Sequence, residues 1–440
     1  MKYDKFFELA KAAGIEEAEL YVETSYALSF SLFHGEVDNY SLENGSYYVA
    51  RGIINGRFGA ASCDVYNAQR AKYLVDEIVA NAKIIENDDP AIIFKGSEKY
   101  KKVSTFNKEL ANVSIDEKMK ALHALEKRIR ELDPRIIEVP GVEYSESSNS
   151  TTLMNSHGLK LTHKTNYFYY VGQALAKKDE QVKSGYDLYL GNDFSKLDIE
   201  DLAKKVVENT VGQLGGEACE SGKYKAVLDR DVVSALMRVF VGHADAEEVQ
   251  KHSSLFLGKL GQKIASKKIT IEDRPLDKSL FARGFDDEGV ATYNKAIVKN
   301  GVLQTYLYNL TTASKEGVQS TGNGFKAGSK IGTSTTYLCL KPGKKSLEEL
   351  FQEVGNGVYI TSVSGLHAGL NPQSGNFSLQ AEGFLIKDGK KDHPLDIITV
   401  SGNLMQVFND VLEVGNDIKV TTSATQAESI LVKSIGVGGK

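Results

Sequence analysis

Residues 236–245 read Leu-Met-Arg-Val-Phe-Val-Gly-His-Ala-Asp, a helical segment ending in Gly242-His243, with no second metal-binding side chain where a hydrolytic zinc site would need one. Zinc hydrolysis takes about three protein ligands, a position for water and a carboxylate to accept that water's proton. In the common helical version two His and one Glu come from a single helix. Here Met237, Arg238, Val239 and Phe240 precede His243, and a guanidinium does not ligate metal. His243 reads as a solvated or helix-capping side chain, with weak metal binding beside His252 as the alternative.

Other clusters are weaker still. Asp286, Asp287 and Glu288 could hold a cation or form an acid/base pair, but a turn near a strand start is the favoured reading. Residues 322–330 are rich in glycine yet lack the GxxxxGK[ST] spacing of a phosphate cradle. They suit a flexible lid or substrate-facing loop, in which Asn323, Gly324 and Lys326 are the candidates. His367 and Asn371, in a turn at a strand end, are further substrate-facing candidates. Ser253 beside His252 has neither an elbow motif nor an acidic third member, so a serine hydrolase is unsupported.

The elements that would position these residues follow from periodicity. A helix is expected over 5–13, then strands around 18–22, 29–33, 46–53 and 57–62, with turns at His34-Gly35 and Asn55-Gly56. In the first strand Ala18, Leu20 and Val22 face one way, Glu19 and Tyr21 the other. Apolar residues at helical spacing predict helices over 67–85 and 115–132 on one sheet face, joined by a long polar surface loop at 86–112. Strands return over 136–190, and a helix over 199–214 leads to the join. The second half carries strands near 225–228, 270–272, 291–299, 302–308, 335–340, 358–363, 378–387 and 396–401, with a hairpin at Asn300-Gly301. Many strands and few helices imply a closed or nearly closed sheet. The fold class is α+β: an N-terminal domain of antiparallel sheet and helices at 1–222, and a β-rich, barrel-like domain at 223–440.

Composition narrows the partners. A chain of 440 residues suits two domains. A net charge of -5 offers no long-range attraction for phosphates, so direct nucleic-acid binding is not expected. No apolar run approaches the roughly 18 residues of a membrane span, and residues 1–8 begin an amphipathic helix rather than a secretory leader. Three dispersed cysteines, Cys63, Cys219 and Cys339, suit a reducing cytoplasm, which is the expected location.

Several blocks of the second half resemble the TldD/PmbA family, associated with peptide degradation and long described as modulators of DNA gyrase. They include residues 253–266, Phe285-Asp286-Asp287-Glu288-Gly289-Val290, Asn300-Gly301-Val302-Leu303, Ser320-Thr321-Gly322-Asn323, residues 369–378, Gly402-Asn403-Leu404 and Val414-Gly415-Asn416-Asp417-Ile418. The resemblance is specific over 223–440 and closer to PmbA, also called TldE, than to TldD. It implies that TldD-like members carry HExxxH on the helix matching residues 234–243, with a late cysteine ligand, and act as zinc metallopeptidases. A five-residue separation turns an ideal helix about 500°, so the motif needs a break before its last His, which Gly242 could supply. Overlaying it sets His243 on the final His, Arg238 on the first His, Val239 on the catalytic Glu and Ala427 on the cysteine.

The preferred expectation is a metal-free PmbA-like subunit with no cofactor of its own, shaping a peptide channel. Zinc would sit only in a TldD-like partner, a homodimer forming when that partner is missing. Two alternatives stand beside it. One is an active metallopeptidase whose metal site joins His243 to Asp245, Glu247 or Glu248; the other is a non-enzymatic modulator tied to gyrase or a toxin.

Overall fold

A computed structural model describes residues 3–84 and 89–439. Residues 1–2 of the expected amphipathic start, residue 85 of the second expected helix and 86–88 of the expected loop lie outside them. The first part runs α1 (Asp4–Ala12), β1 (Glu17–Phe33), β2 (Glu36–Ile54), β3 (Arg57–Cys63), α2 (Ala68–Ile84), α3 (Ile115–Leu132), β4 (Ile136–Glu138), β5 (Val142–Asn155), β6 (Lys160–Lys178), β7 (Gln181–Gly191) and α4 (Ile199–Val211). Its strands form one antiparallel sheet in the order β3-β2-β1-β5-β6-β4, with β7 also on β6.

Local chemistry explains the turns and helix ends. His34 (φ 52°), Gly35 (φ 75°), Asn55 (φ 49°) and Gly56 (φ 73°) supply the left-handed residues that tight hairpins between twisted strands require. Ser114 and Glu117 close a capping box at the start of α3. The strands expected separately at 18–22 and 29–33 are one strand. Between them Thr24, Ser25 and Tyr26 carry no apolar alternation, yet their backbone pairs without interruption to β2 and β5.

Towards each end of β1 every second residue is buried on one face. Ala18, Leu20 and Val22 pack with Leu74 and Ile78 of α2, while Leu28, Phe30 and Leu32 pack with Leu122 and Leu125 of α3 and Val206 of α4. Both long helices thus lie on the same side. Gly59 of β3 admits α2 closely, since a Cβ there would stand 1.9 Å from the Ile78 carbonyl oxygen. The polar surface loop expected at 86–112 is different where described. Ile93, Thr105 and Leu110 are buried, and the segment straps onto the second half: Tyr100 Oη donates to the Gly289 carbonyl at 2.7 Å and Ala291 N–H to Ser97 Oγ at 3.0 Å.

The second half continues with β8 (Gly222–Leu228), α5 (Arg230–Gly242), α6 (Ala246–Gln250), β9 (Ile271–Asp273), β10 (Lys295–Lys299), β11 (Val302–Leu303), α7 (Leu310–Glu316), β12 (Gly324–Ala327), β13 (Lys330–Thr333), β14 (Leu338–Leu340), α8 (Leu347–Val354), β15 (Gly357–Ser364), α9 (Leu366–Gly369), β16 (Asn376–Lys387), β17 (Lys390–Pro394), β18 (Ile398–Asn403), α10 (Leu404–Asn409), β19 (Val411–Val414), β20 (Lys419–Thr421), β21 (Thr425–Ala427) and β22 (Ile430–Gly438). The order β15-β8-β22-β18-β16 closes on itself through β15–β16, making a five-stranded barrel. Residues from all five strands, among them Ala226, Val358, Val432, Val400 and Leu379, share one buried cluster with Val233, Met237 and Phe240 of α5. The alternate residues Val227, Tyr359 and Leu431 meet Leu350 and Phe351 of α8 outside it.

A second sheet, β11-β10-β9-β14-β21-β20, lies beside α5. Asn300 (φ 49°) and Gly301 (φ 80°) form its hairpin. The strand expected over 302–308 stops at Leu303, because Leu307 instead donates to the Ala244 carbonyl at 2.7 Å and accepts from Ala246 N–H at 3.0 Å. That over 335–340 shrinks to its last residues, since Thr336 and Tyr337 give their N–H groups to Asp273 Oδ1. The glycine-rich segment expected as a flexible loop contains the β12–β13 hairpin.

Candidate functional site

Helix α5 begins with Asp229, whose carboxylate accepts from Asp231 N–H, and ends at Gly242, with His243 as its C-cap. His243 is 7% exposed against the Phe256 ring. Its Nδ1 accepts from Leu255 N–H at 3.4 Å, which places the imidazole proton on Nε2, a buried atom with no partner among the described residues. Burial holds its pKa below the usual histidine value, outweighing the pull of Glu248, so the ring is neutral.

The groups that would complete a zinc site do not fit one. Arg238 is exposed on α5, Val239 is half-buried against the core, and Ala427 is a buried methyl on β21, the strand packed against that helix. Asp245 Oδ1 caps α6 through Glu247 N–H at 2.9 Å, Glu247 pairs with Lys251, and Glu248 Oε2 accepts from Ser253 Oγ at 2.6 Å. His252 is exposed in a left-handed turn (φ 59°). Among the described residues no three His, Cys, Asp or Glu side chains converge as a metal cluster. Beside α5 lies a cleft of about 160 Å³, lined by Arg238, Gly242, Asp245 and the 333–335 run. A larger groove of about 410 Å³ crosses the first sheet among Ser25, Asn44, Ser148 and Asn149, where Lys164 is the one charged side chain of the lining.

The substrate-facing candidates separate into two places. Asn323, Gly324 and Lys326 are packed inside, at the junction of the two halves. Asn323 donates through Nδ2 to Asp273 Oδ2 and to the Ser334 carbonyl, both at 2.8 Å. Gly324 N–H donates to Asp286 Oδ2 at 2.9 Å, and a Cβ on Gly324 would stand 2.3 Å from Glu288 Oε2. Lys326 Nζ reaches Glu19 Oε1 and the Asp287 carbonyl, each at 3.2 Å, and lies over the Tyr21 ring. His367 and Asn371 are exposed on and after α9, where Asn371 Oδ1 accepts from Gln373 and Ser374 N–H groups.

That junction is a buried charge network which local patterns did not disclose. Glu19 and Arg51 are register partners on β1 and β2 and pair at 2.9 Å, both almost fully buried. Arg283 pairs with Asp287, whose carboxylate also accepts from Lys326 N–H at 2.8 Å. Burial alone would push Asp287 upward, but Arg283 and the Lys326 amide outweigh it and hold the carboxyl below its usual value. Its neighbours behave oppositely: burial and then Glu288 push Asp286 up to about 8, and burial raises Glu288. Burial and then Arg283 lower His163 to about 4. The acidic triplet does form the turn expected of it, closed by Gly289 N–H on the Asp286 carbonyl, and that turn is buried in an interior joint. The signal that could have shown it was the polar face of β1, where Glu19 and Tyr21 repeat at strand spacing.

Comparison with known proteins covers the whole length. Residues 18–82, 108–214 and 221–439 match domain 1, the central domain and the C-terminal domain of the PmbA/TldA metallopeptidases. A Metalloprotease PmbA homolog of Haemophilus influenzae is 26% identical over 98% of this chain and 94% of its own length. A crystal structure from Thermotoga maritima, carrying the name of a modulator of a DNA gyrase, superposes with a TM-score of 0.92 at 32% identity over 99% of each chain. TldE from Thermococcus kodakarensis reaches a TM-score of 0.92 at 24% identity over 100% of both, a likeness of fold.

Proposed function

The chain belongs to the PmbA/TldD metallopeptidase family, and from this premise we propose that it is the metal-free, PmbA-like subunit of a peptide-degrading assembly. In this reading a TldD-like partner holds the zinc and hydrolyses the peptide bond, and this chain shapes or gates the path to it. The observation that carries the reading is the side-chain set on and against α5. A guanidinium at 238, an isopropyl group at 239 and a methyl group at 427 stand where two ligands and a proton acceptor would be needed. The remaining imidazole is neutral, with Nδ1 engaged by Leu255. Where no partner is present, symmetric pairing of two copies is the expected assembly.

The test uses the purified full-length chain. After chelation and zinc refilling it should retain well under one equivalent of metal and leave an unfolded peptide intact, and with a TldD-like chain it should elute as a stable complex that cleaves. One equivalent of zinc that disappears in His243→Ala, or cleavage by the isolated chain, overturns the proposal.

A further inference from the structure

The apolar layer of the first sheet is one strand wider than the helices that cover it. Leu28, Phe30 and Leu32 of β1 are buried in the cluster with α3 and α4, whereas their register partners on β2, Leu42, Tyr40 and Val37, are exposed. Partners on neighbouring strands share a face, so these three form an uncovered stripe beside the core. The opposite face of the same segment is acidic. Glu43 pairs with Ala27 and Glu36 with Phe33, on the side away from the helices, and Asp38 is the extra residue of a bulge between Val37 and Asn39. All three acids are exposed, and among the described residues none of them has an ion pair.

The backbone beside these residues is open. Strand β3 pairs with β2 only from Tyr48 to Ile54, which leaves residues 36–47 bonded to β1 on one side and to no strand on the other among the described residues. No Lys, Arg or Pro in 36–47 blunts that edge. It is a template for an added strand, and its two faces identify the occupant. Such a strand must set apolar side chains beside Val37, Tyr40 and Leu42 and cations beside Glu36 and Glu43, at alternate positions. A second copy of β2 would instead double the carboxylates on one ladder and add no cation. We propose that the free edge of β2 binds an extended cationic peptide, in which Lys or Arg alternates with apolar residues, as an added strand. That this strand belongs to an unfolded peptide rests on the function proposed above, whose substrate class it narrows; that the edge takes a cationic strand does not.

The experiment titrates the full chain calorimetrically with three nonapeptides blocked at both ends: one alternating lysine with valine, one with glutamate in place of lysine, and the lysine peptide methylated on every backbone nitrogen. The lysine peptide should bind roughly tenfold or more tightly than either of the others, and added salt should weaken it. Because the residues changed are exposed, the variants keep the fold. Glu36→Gln with Glu43→Gln should remove the preference for lysine over glutamate, and Leu42→Lys should abolish binding of the lysine peptide. Equal affinity for the lysine and glutamate peptides, undiminished binding of the methylated peptide, or a lysine preference that survives the double variant overturns the proposal. A dimer in sedimentation that Leu42→Lys dissolves would give the edge to a second copy and overturn it as well. If the lysine peptide binds but no complex with a TldD-like chain forms, the preceding proposal alone fails; if that complex forms and cleaves but the peptide finds no hold on this chain, this one alone fails.

Discussion

Glu428 is sealed in the second half with Oε2 unpartnered, while Oε1 accepts from Gln426 Nε2 at 3.0 Å. Burial, and then Asp417, push its carboxyl from 4.5 up to about 8. The folded chain thus keeps a proton that the unfolded chain releases near pH 4.5, so stability is full below that pH, falls as pH rises through about 8, and levels off above. One such proton gives a slope of at most about 1.4 kcal/mol per pH unit. Asp286, raised in the same direction, adds to it. Urea unfolding at pH 5.5 and 8.5 should show the native chain weaker at the higher pH and Glu428→Gln with a smaller difference; an unchanged difference would exclude Glu428 as a source. A second interior charge is Lys118, paired with Glu146 at 2.5 Å, both nearly fully buried, with Tyr144 Oη donating to the same carboxylate. Lys118→Met strands that carboxylate and should cost about 3–5 kcal/mol, much of it regained on adding Glu146→Gln; equal stability of the single and double variants would refute this. The residue types at 238 and 239, an arginine and a valine that neither ligate zinc nor accept a proton, are legible in the sequence residue by residue. That Thr333 shares a cleft with Arg238 and Asp245 is not, since it requires knowing that a hairpin returns to α5.

Elements with strong periodicity were readable to within a residue or two. Helix α3 was expected over 115–132 and spans Ile115–Leu132, since Leu122, Leu125 and Ile129 mark its buried stripe and Ser114 its cap. Helix α2 repeats this on β3, with a tighter requirement at Gly59, where any Cβ meets the Ile78 carbonyl. Gly59→Ala should push α2 off the sheet and cost about 1–3 kcal/mol of overpacking, read as a lowered denaturant midpoint at unchanged m-value; a midpoint within error of the native chain's would show that α2 yields freely. Elements without periodicity were misread for the opposite reason. The Ser, Thr and Tyr residues at the centre of β1 carry no apolar alternation, yet two flanking strands satisfy their backbone. The β12–β13 hairpin carries as many glycines as strand formers, and Lys326, which anchors it, finds Glu19 across a separation of 307 residues. No local window contains that pair. Helix α8 carries both signals, a capping box at Ser346 and Glu349 and the apolar spacing of Leu347, Leu350, Phe351 and Val354, yet it is absent from the elements expected from the sequence.

At the scale of the whole chain, the Lys326–Glu19 contact and the strap through Tyr100 bind the two halves into one body. Calorimetry should record a single transition for the native protein. Lys326→Met together with Tyr100→Phe should let the halves melt separately, and a single unshifted transition in that double variant would show the junction to be energetically idle. Among the described residues no helix is long and apolar enough to cross a membrane. The barrel sets a different kind of limit. Strand β8 at Gly222–Leu228 lies between β15 and β22, and β22 begins only at Ile430. A ribosome must therefore carry synthesis on from Leu228 through β22 before this ring can shut. Until then β8 waits as an open apolar ribbon, and a chaperone that shields such ribbons would be needed longest by this half.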